Sequence, residues 1–169
     1  MRLINGIRTV MDRVVEVVCS VWLLVMVAVS SGQILSGDLS GAPSTYSEEF
    51  LRFSLVWVSM LSMAYVAGLR KHVAFTLFSD KVSIHWQHYW QILIELAFLA
   101  FAIFILVQGG YNATSITMNQ VSPSLGLAMG YVYSALPLAG GILAVYSVLN
   151  CIELLEKELR SDEEAPQDV

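Results

Sequence analysis

Three long stretches of this chain hold no charged residue, and they constrain its fold more than any motif does. They run between Glu16 and Asp38, between Arg52 and Arg70, and between Glu95 and Glu153. Their lengths are about 21, 17 and 57 residues, against the ~20 apolar residues a helix needs to cross a bilayer. Of the 169 residues 56% are hydrophobic and only 14% charged, whereas a soluble domain carries about a quarter charged residues. The pattern predicts an all-α integral membrane protein.

Four transmembrane helices are expected, at about 15–36, 50–69, 86–108 and 124–150, within a single membrane domain over 1–160 that ends in an acidic tail, 161–169. The longest gap holds parts of two helices, divided by the polar stretches Gln108 to Asn112 and Asn119 to Pro123. Ser122 and Pro123 form an N-cap and first-turn pair for the fourth helix. Eight of the nine basic residues lie on one side: Arg2, Arg8, Arg13, Arg70, Lys71, Lys81, Lys157 and Arg160. The positive-inside rule makes that side, and both termini, cytoplasmic. Leu3, Ile4, Ile7, Val10, Met11 and Val14 recur at helical spacing among polar residues, which predicts a short amphipathic N-terminal interfacial helix. Trp86, Tyr89 and Trp90 read as an aromatic belt where the third helix starts, and Arg70, Lys71 and His72 as interfacial residues closing the second. The first apolar run is longer than the ~7–15 residues of a secretory h-region and further spans follow, so it reads as a retained helix despite Ser30-Ser31-Gly32.

Composition narrows the chemistry. A net charge of −5 is no nucleic-acid footprint, and no nucleic-acid partner is expected. Cys19 and Cys151 sit in or beside apolar segments and read as packed thiols. His72, His85 and His88 all lie near the 2–3 connection and not within spans, so neither a haem nor a metal site is expected, and no resident cofactor. No phosphate loop, nucleophile constellation or carboxylate pair points to an enzyme. Glu95 alone lies well inside a span, and such residues are functional candidates: either a proton relay or a structural contact with a neighbouring helix. The chain also has no internal repeat and no pair of interrupted half-helices of the kind that build a transporter's midplane site. Gly126 and Gly130, extended by Ser134, have packing spacing, and Ser54, Ser59 and Ser62 line the second helix. Such small faces serve internal packing or contact with another subunit.

Particular residues carry a family resemblance. Ser47-Glu48-Glu49-Phe50-Leu51-Arg52, then Trp57, then Arg70-Lys71-His72-Val73, resembles the small, DctQ-type membrane subunit of tripartite ATP-independent periplasmic (TRAP) transporters. Ser122-Pro123-Ser124-Leu125-Gly126, followed by Tyr131, Tyr133 and Leu136-Pro137, is similar to the start of that family's fourth helix. Ser62 stands where a glycine is common, and Thr76 where an aspartate often follows the histidine element. The resemblance implies a scaffold subunit in the bacterial inner membrane. Its implied partners are membrane lipid, a large multi-helix elevator subunit that carries the substrate and sodium sites, and a periplasmic substrate-binding protein. The implied cargo is an organic acid, a C4-dicarboxylate or a sialic acid, taken up with sodium. Glu48, Glu49 and Arg52 would then dock the binding protein or anchor the helix, and Trp57, Gly126, Gly130 and Ser134 would pack on the large subunit or on neighbouring helices. The competing readings are a stand-alone four-helix carrier coupled to protons through Glu95, and an assembly factor that transports nothing.

Overall fold

In lipid no water satisfies an exposed peptide group, so an apolar segment that crosses the bilayer must close its own backbone hydrogen bonds. The structure, a computed structural model, describes the backbone of residues 2–40, 45–69 and 84–163 and the side chains of 6–35, 45–69 and 92–154. Those residues are helical apart from a short connection at 118–129. In order they form α1 (Arg2–Ser40), α2 (Thr45–Gly68), α3 (Ile84–Ala100), a π-helical segment π1 (Phe101–Gly109), α4 (Gly110–Thr117), α5 (Gly130–Tyr133) and α6 (Ala135–Glu163). Among the described residues four stretches are long and apolar enough to span: Gly6–Leu35, Thr45–Gly68, Ile92–Thr117 and Gly130–Leu154. The expectation of four membrane helices holds.

Several boundaries differ from those expected, each for a physical reason. The amphipathic N-terminal segment and the first span are one uninterrupted helix, α1, because no proline or turn cluster separates Asp12 from Val15. Its 39 residues reach about 58 Å at ~1.5 Å each, well beyond a hydrocarbon core of ~30 Å. Helix α2 begins at Thr45, so Ser47 lies within its first turn instead of before it.

The third span does not end at residue 108. Gly109 and Gly110 hold ordinary right-handed helical angles, and the helix runs on to Thr117. A side chain at Gly110 would meet Pro137 Cδ at 2.8 Å and Leu136 Cβ at 2.9 Å. The glycine pair is therefore no turn, and Gly110 is a packing contact with α6. Within α4 the hydroxyls of Thr114 and Thr117 donate to the carbonyls of Gly110 and Ala113 at 2.8 and 2.7 Å, which satisfies them inside the helix.

The fourth span starts at Gly130, not at 124. The preceding residues form a compact reversal: Ser122 N donates to Leu127 O and Met129 N to Gln120 O, both at 2.8 Å, around an antiparallel Val121–Ala128 bridge. Gly126 turns the chain with φ +66°, a left-handed angle that suits a residue without Cβ. Gly126 and Gly130 therefore share no helix face. A Cβ on Gly130 would stand 2.6 Å from Met118 Sδ, so that glycine lets α5 close against the end of the third span.

The core lies around α6. Ala64 of α2, Ala102 and Leu106 of π1, and Ala139 and Leu143 of α6 form its buried cluster. A Cβ at Gly140 would stand 2.6 Å from Leu106 Cβ, so π1 and α6 touch almost backbone to backbone. Such contacts, and not a hydrophobic drive, hold helices together in lipid. The most apolar window of the fourth span is 39% buried and that of the first only 6%. Helix α6 is the hub and α1 the periphery, leaning on α2.

Candidate functional site: polar clusters at the two ends

The end at which α1 starts holds the larger polar cluster, here called proximal. Helix α2 stops at Gly68, and the last carbonyls of any helix lack an intrahelical donor. The Gly68 carbonyl accepts from Arg8 Nη2 at 3.1 Å and from Asn150 Nδ2 at 3.4 Å. Asn150 Nδ2 also donates to Glu95 Oε1 at 3.0 Å. Arg8 continues to Glu153 Oε2 at 3.2 Å, and the Tyr146 hydroxyl donates to Asp12 Oδ1 at 2.6 Å. One network thus joins α1, α2, α3 and α6. Asn150 is 1% exposed, Tyr146 0% and Glu95 7%, so most of it is closed to solvent and lipid alike.

Gly68 makes this convergence possible. A Cβ there would collide with the Tyr146 ring, within 2.7 Å of its Cδ1. Tyr146, Asn150 and Glu153 follow one another at i, i+4 and i+7 on α6, and Arg8 and Asp12 at i and i+4 on α1, so each set lies on one helix face. That spacing is the sequence signal for the node. It went unused because both stripes interleave with apolar residues of equal periodicity. Of the node, sequence reasoning singled out Glu95 alone. The structure pairs it with Asn150 inside the bundle.

The distal end holds a smaller cluster. Glu49 Oε2 accepts the backbone N–H groups of both Ser124 and Leu125 at 3.0 Å, and Ser122 Oγ accepts that of Leu125 at 3.3 Å. The carboxylate of α2 thereby caps the 118–129 reversal, which explains why Ser122-Pro123 opens a turn and not a helix. Arg52 Nη2 meets Glu48 Oε1 at 3.0 Å along α2, with both side chains more than half exposed. The three residues singled out together thus divide: Glu49 faces its own chain, while Glu48 and Arg52 face outward.

The other candidates fall as follows. Trp57 stacks on Trp22 of α1, ring centroids 6.5 Å apart and planes at 22°, so it joins α1 to α2. One turn further along, Ser62 Oγ lies 3.7 Å from Cys19 Sγ, and Ser54 is buried. Ser134 sits between α5 and α6, its hydroxyl donating to Tyr131 O at 2.7 Å. Arg70, Lys71 and His72 lie outside the described residues. Trp86 and Trp90 belong to α3 by backbone, and their side chains are outside the described set. No group of three or more His, Cys, Asp or Glu converges on a metal position among the described residues.

Comparison with known proteins places these features in context. The family model described as tripartite ATP-independent periplasmic transporters, DctQ component, matches residues 23–157. The chain is similar to the isethionate TRAP transporter permease protein DctMQ of Oleidesulfovibrio alaskensis, 28% identical over 105 residues, or 62% of this chain. That stretch covers only 16% of the DctMQ protein. The sialic acid TRAP transporter small permease protein SiaQ of Vibrio cholerae is 26% identical over 90% of this chain and 87% of its own length. A putative TRAP transporter small permease protein of Haemophilus influenzae is 22% identical over 85% of this chain and 89% of its own.

Proposed function

The chain belongs to the DctQ component family of tripartite ATP-independent periplasmic transporters, and from that premise we propose that this small permease subunit is a fixed scaffold for a larger, moving membrane subunit. One observation carries the reading. The buried Asn150 amide donates both to Glu95 and to the Gly68 carbonyl, while the apolar surface of the first span stays largely uncovered. The interior is spent on rigidity, and a broad face is left for a partner or lipid.

The comparisons support the same division of labour. The isethionate relative is named DctMQ, and this chain matches a small fraction of its length, which favours a larger membrane component as its partner. The relatives' names specify isethionate and sialic acid, and both compounds are organic acids. We take the cargo to be an anionic organic acid of the sialic acid or C4-dicarboxylate type, driven by sodium bound on the large subunit. The bias of basic residues in the sequence supports, by the positive-inside rule, a reading with both termini in the cytoplasm of a bacterium and the protein multi-pass in the inner membrane. The first turns of α1 then lie at the cytoplasmic interface, where Arg8 and Asp12 tie them to the bundle. The distal face, with its exposed Glu48, helps dock the periplasmic binding protein.

Reconstitution tests the scaffold role. Alone in vesicles with sodium added outside only, so that the gradient points inward, the chain is expected to move no organic acid. With its large subunit and binding protein it is expected to support uptake. Sodium-dependent uptake by the single chain would overturn the reading.

A further inference from the structure

Helices α1 and α2 run antiparallel, and above the Trp22–Trp57 stack they part. The gap is a groove of about 580 Å³. At its deep end it is lined by Leu23, Val27, Leu55 and Val58, and at its distal mouth by Ser30, Ser31 and Arg52. The stacked indoles are next in sequence to Leu23 and Val58, at the deep end. From floor to mouth the lining thus changes from hydrocarbon to hydroxyl and guanidinium. Leu51 to Val58 spans about 10 Å along the helix at ~1.5 Å per residue.

Two features decide what fits. Below the mouth the lining is apolar, with Leu23, Met26, Val27, Leu55 and Val58 offering no polar group, which suits an acyl chain. The mouth, in turn, is not simply cationic. Arg52 reaches toward the distal end to Glu48 at 3.0 Å, so a positive and a negative group stand side by side where the chain would meet lipid headgroups. Long cationic side chains within a span extend toward the interface in this way. A zwitterionic headgroup complements both charges: its phosphate accepts from the Arg52 fork, and its ammonium faces the Glu48 carboxylate. An anionic headgroup satisfies only Arg52 and is repelled by Glu48.

We propose that the groove between α1 and α2 is a specific site for one phosphatidylethanolamine, its phosphate on Arg52, its amine toward Glu48 and the upper part of an acyl chain lying on Leu23, Val27, Leu55 and Val58. The site stands independently of the scaffold role, since it needs only the described helices and a bilayer. In the cell it would hold a lipid of the periplasmic leaflet and fill the space at which α1 leaves the bundle.

Native mass spectrometry of the full chain in mild detergent tests this, with phosphatidylethanolamine or phosphatidylglycerol of matched chains as the added lipid. One phosphatidylethanolamine is expected to be retained about tenfold better than phosphatidylglycerol, a tenfold ratio being ~1.4 kcal/mol. Arg52→Gln should remove that preference, and Val27→Trp, which fills the groove, should abolish retention of both. Equal retention of the two lipids by the unaltered chain would overturn the headgroup assignment, and retention untouched by Val27→Trp would overturn the site. A second measurement needs no variant: phosphatidylethanolamine with a photoreactive acyl chain should label peptides containing Leu23 to Val27 and Leu55 to Val58. Labelling spread evenly over the exposed first span would mean annular lipid only, and groove residues crosslinking to the large subunit in the assembled permease would mean a protein occupant. Either result refutes the proposal.

Discussion

The proximal and distal clusters use the same chemistry in opposite surroundings. At the proximal end Glu95 and Asn150 meet at 3.0 Å with almost no exposure. At the distal end Glu48 and Arg52 meet at the same 3.0 Å with most of their surface open. Distance therefore says little about what each contact does. In the buried node a polar atom that loses its partner finds no water to replace it, and the cost is that of an unsatisfied group. At the exposed pair water takes over, and an ion pair of this kind contributes little. Glu49 lies between the two cases, an accessible carboxylate whose oxygen holds two amides of a distant turn. The proximal cluster fixes how four helices cross. The distal one shapes a surface.

The strongest test of that contrast is Gly68→Leu. Its side chain must displace the fully buried Tyr146 ring, and overpacking of this kind costs roughly 1–3 kcal/mol. The crowding falls at the one place that four helices share, so a clear drop in the thermal midpoint of the purified subunit is expected, together with poor assembly into the permease. A wild-type midpoint would show that the node does not organise the bundle.

Next in size is Asn150→Leu, which takes the amide donor from the Gly68 carbonyl and from Glu95 and should cost about 1–2 kcal/mol, the range for interhelical hydrogen bonds in lipid. Glu95→Gln belongs beside it as a control, because the amide oxygen still accepts. Its stability and transport should stay near wild type. Loss of uptake in an intact Glu95→Gln complex would instead restore the proton-relay reading.

The smallest effects lie at the distal end. Glu49→Ala should leave global stability nearly unchanged but free the Ser124 amide and leave that of Leu125 with Ser122 Oγ alone, seen as faster hydrogen exchange confined to residues 118–129. Glu48→Ala should leave exchange there untouched. If Glu48 docks the binding protein, its removal should slow association, and more so at low salt. Equal rates at both ionic strengths would assign this pair no part in docking.

What the sequence could express was decided locally. Apolar runs of about 20 residues are too long for barrel strands and become helices in lipid, where a helix satisfies its peptide groups within the segment, so the four spans were legible from residue types alone. The family could be read as well, since Ser47 to Arg52 and Ser122 to Gly126 lie contiguously in the chain. Three other outcomes were settled by residues far apart in sequence. Gly109-Gly110, a turn signal in isolation, stays helical, with Pro137 and Leu136 pressed against Gly110. Ser122-Pro123, an N-cap signal, opens a reversal because Glu49, 75 residues away from Ser124, accepts its amides. Glu95, open to two readings in one dimension, acquires Asn150 only when α3 and α6 cross. Propensity and hydropathy act over a helical turn or two, whereas the partner of a buried polar group is chosen by which backbones can approach, and that depends on the packing of all four helices together.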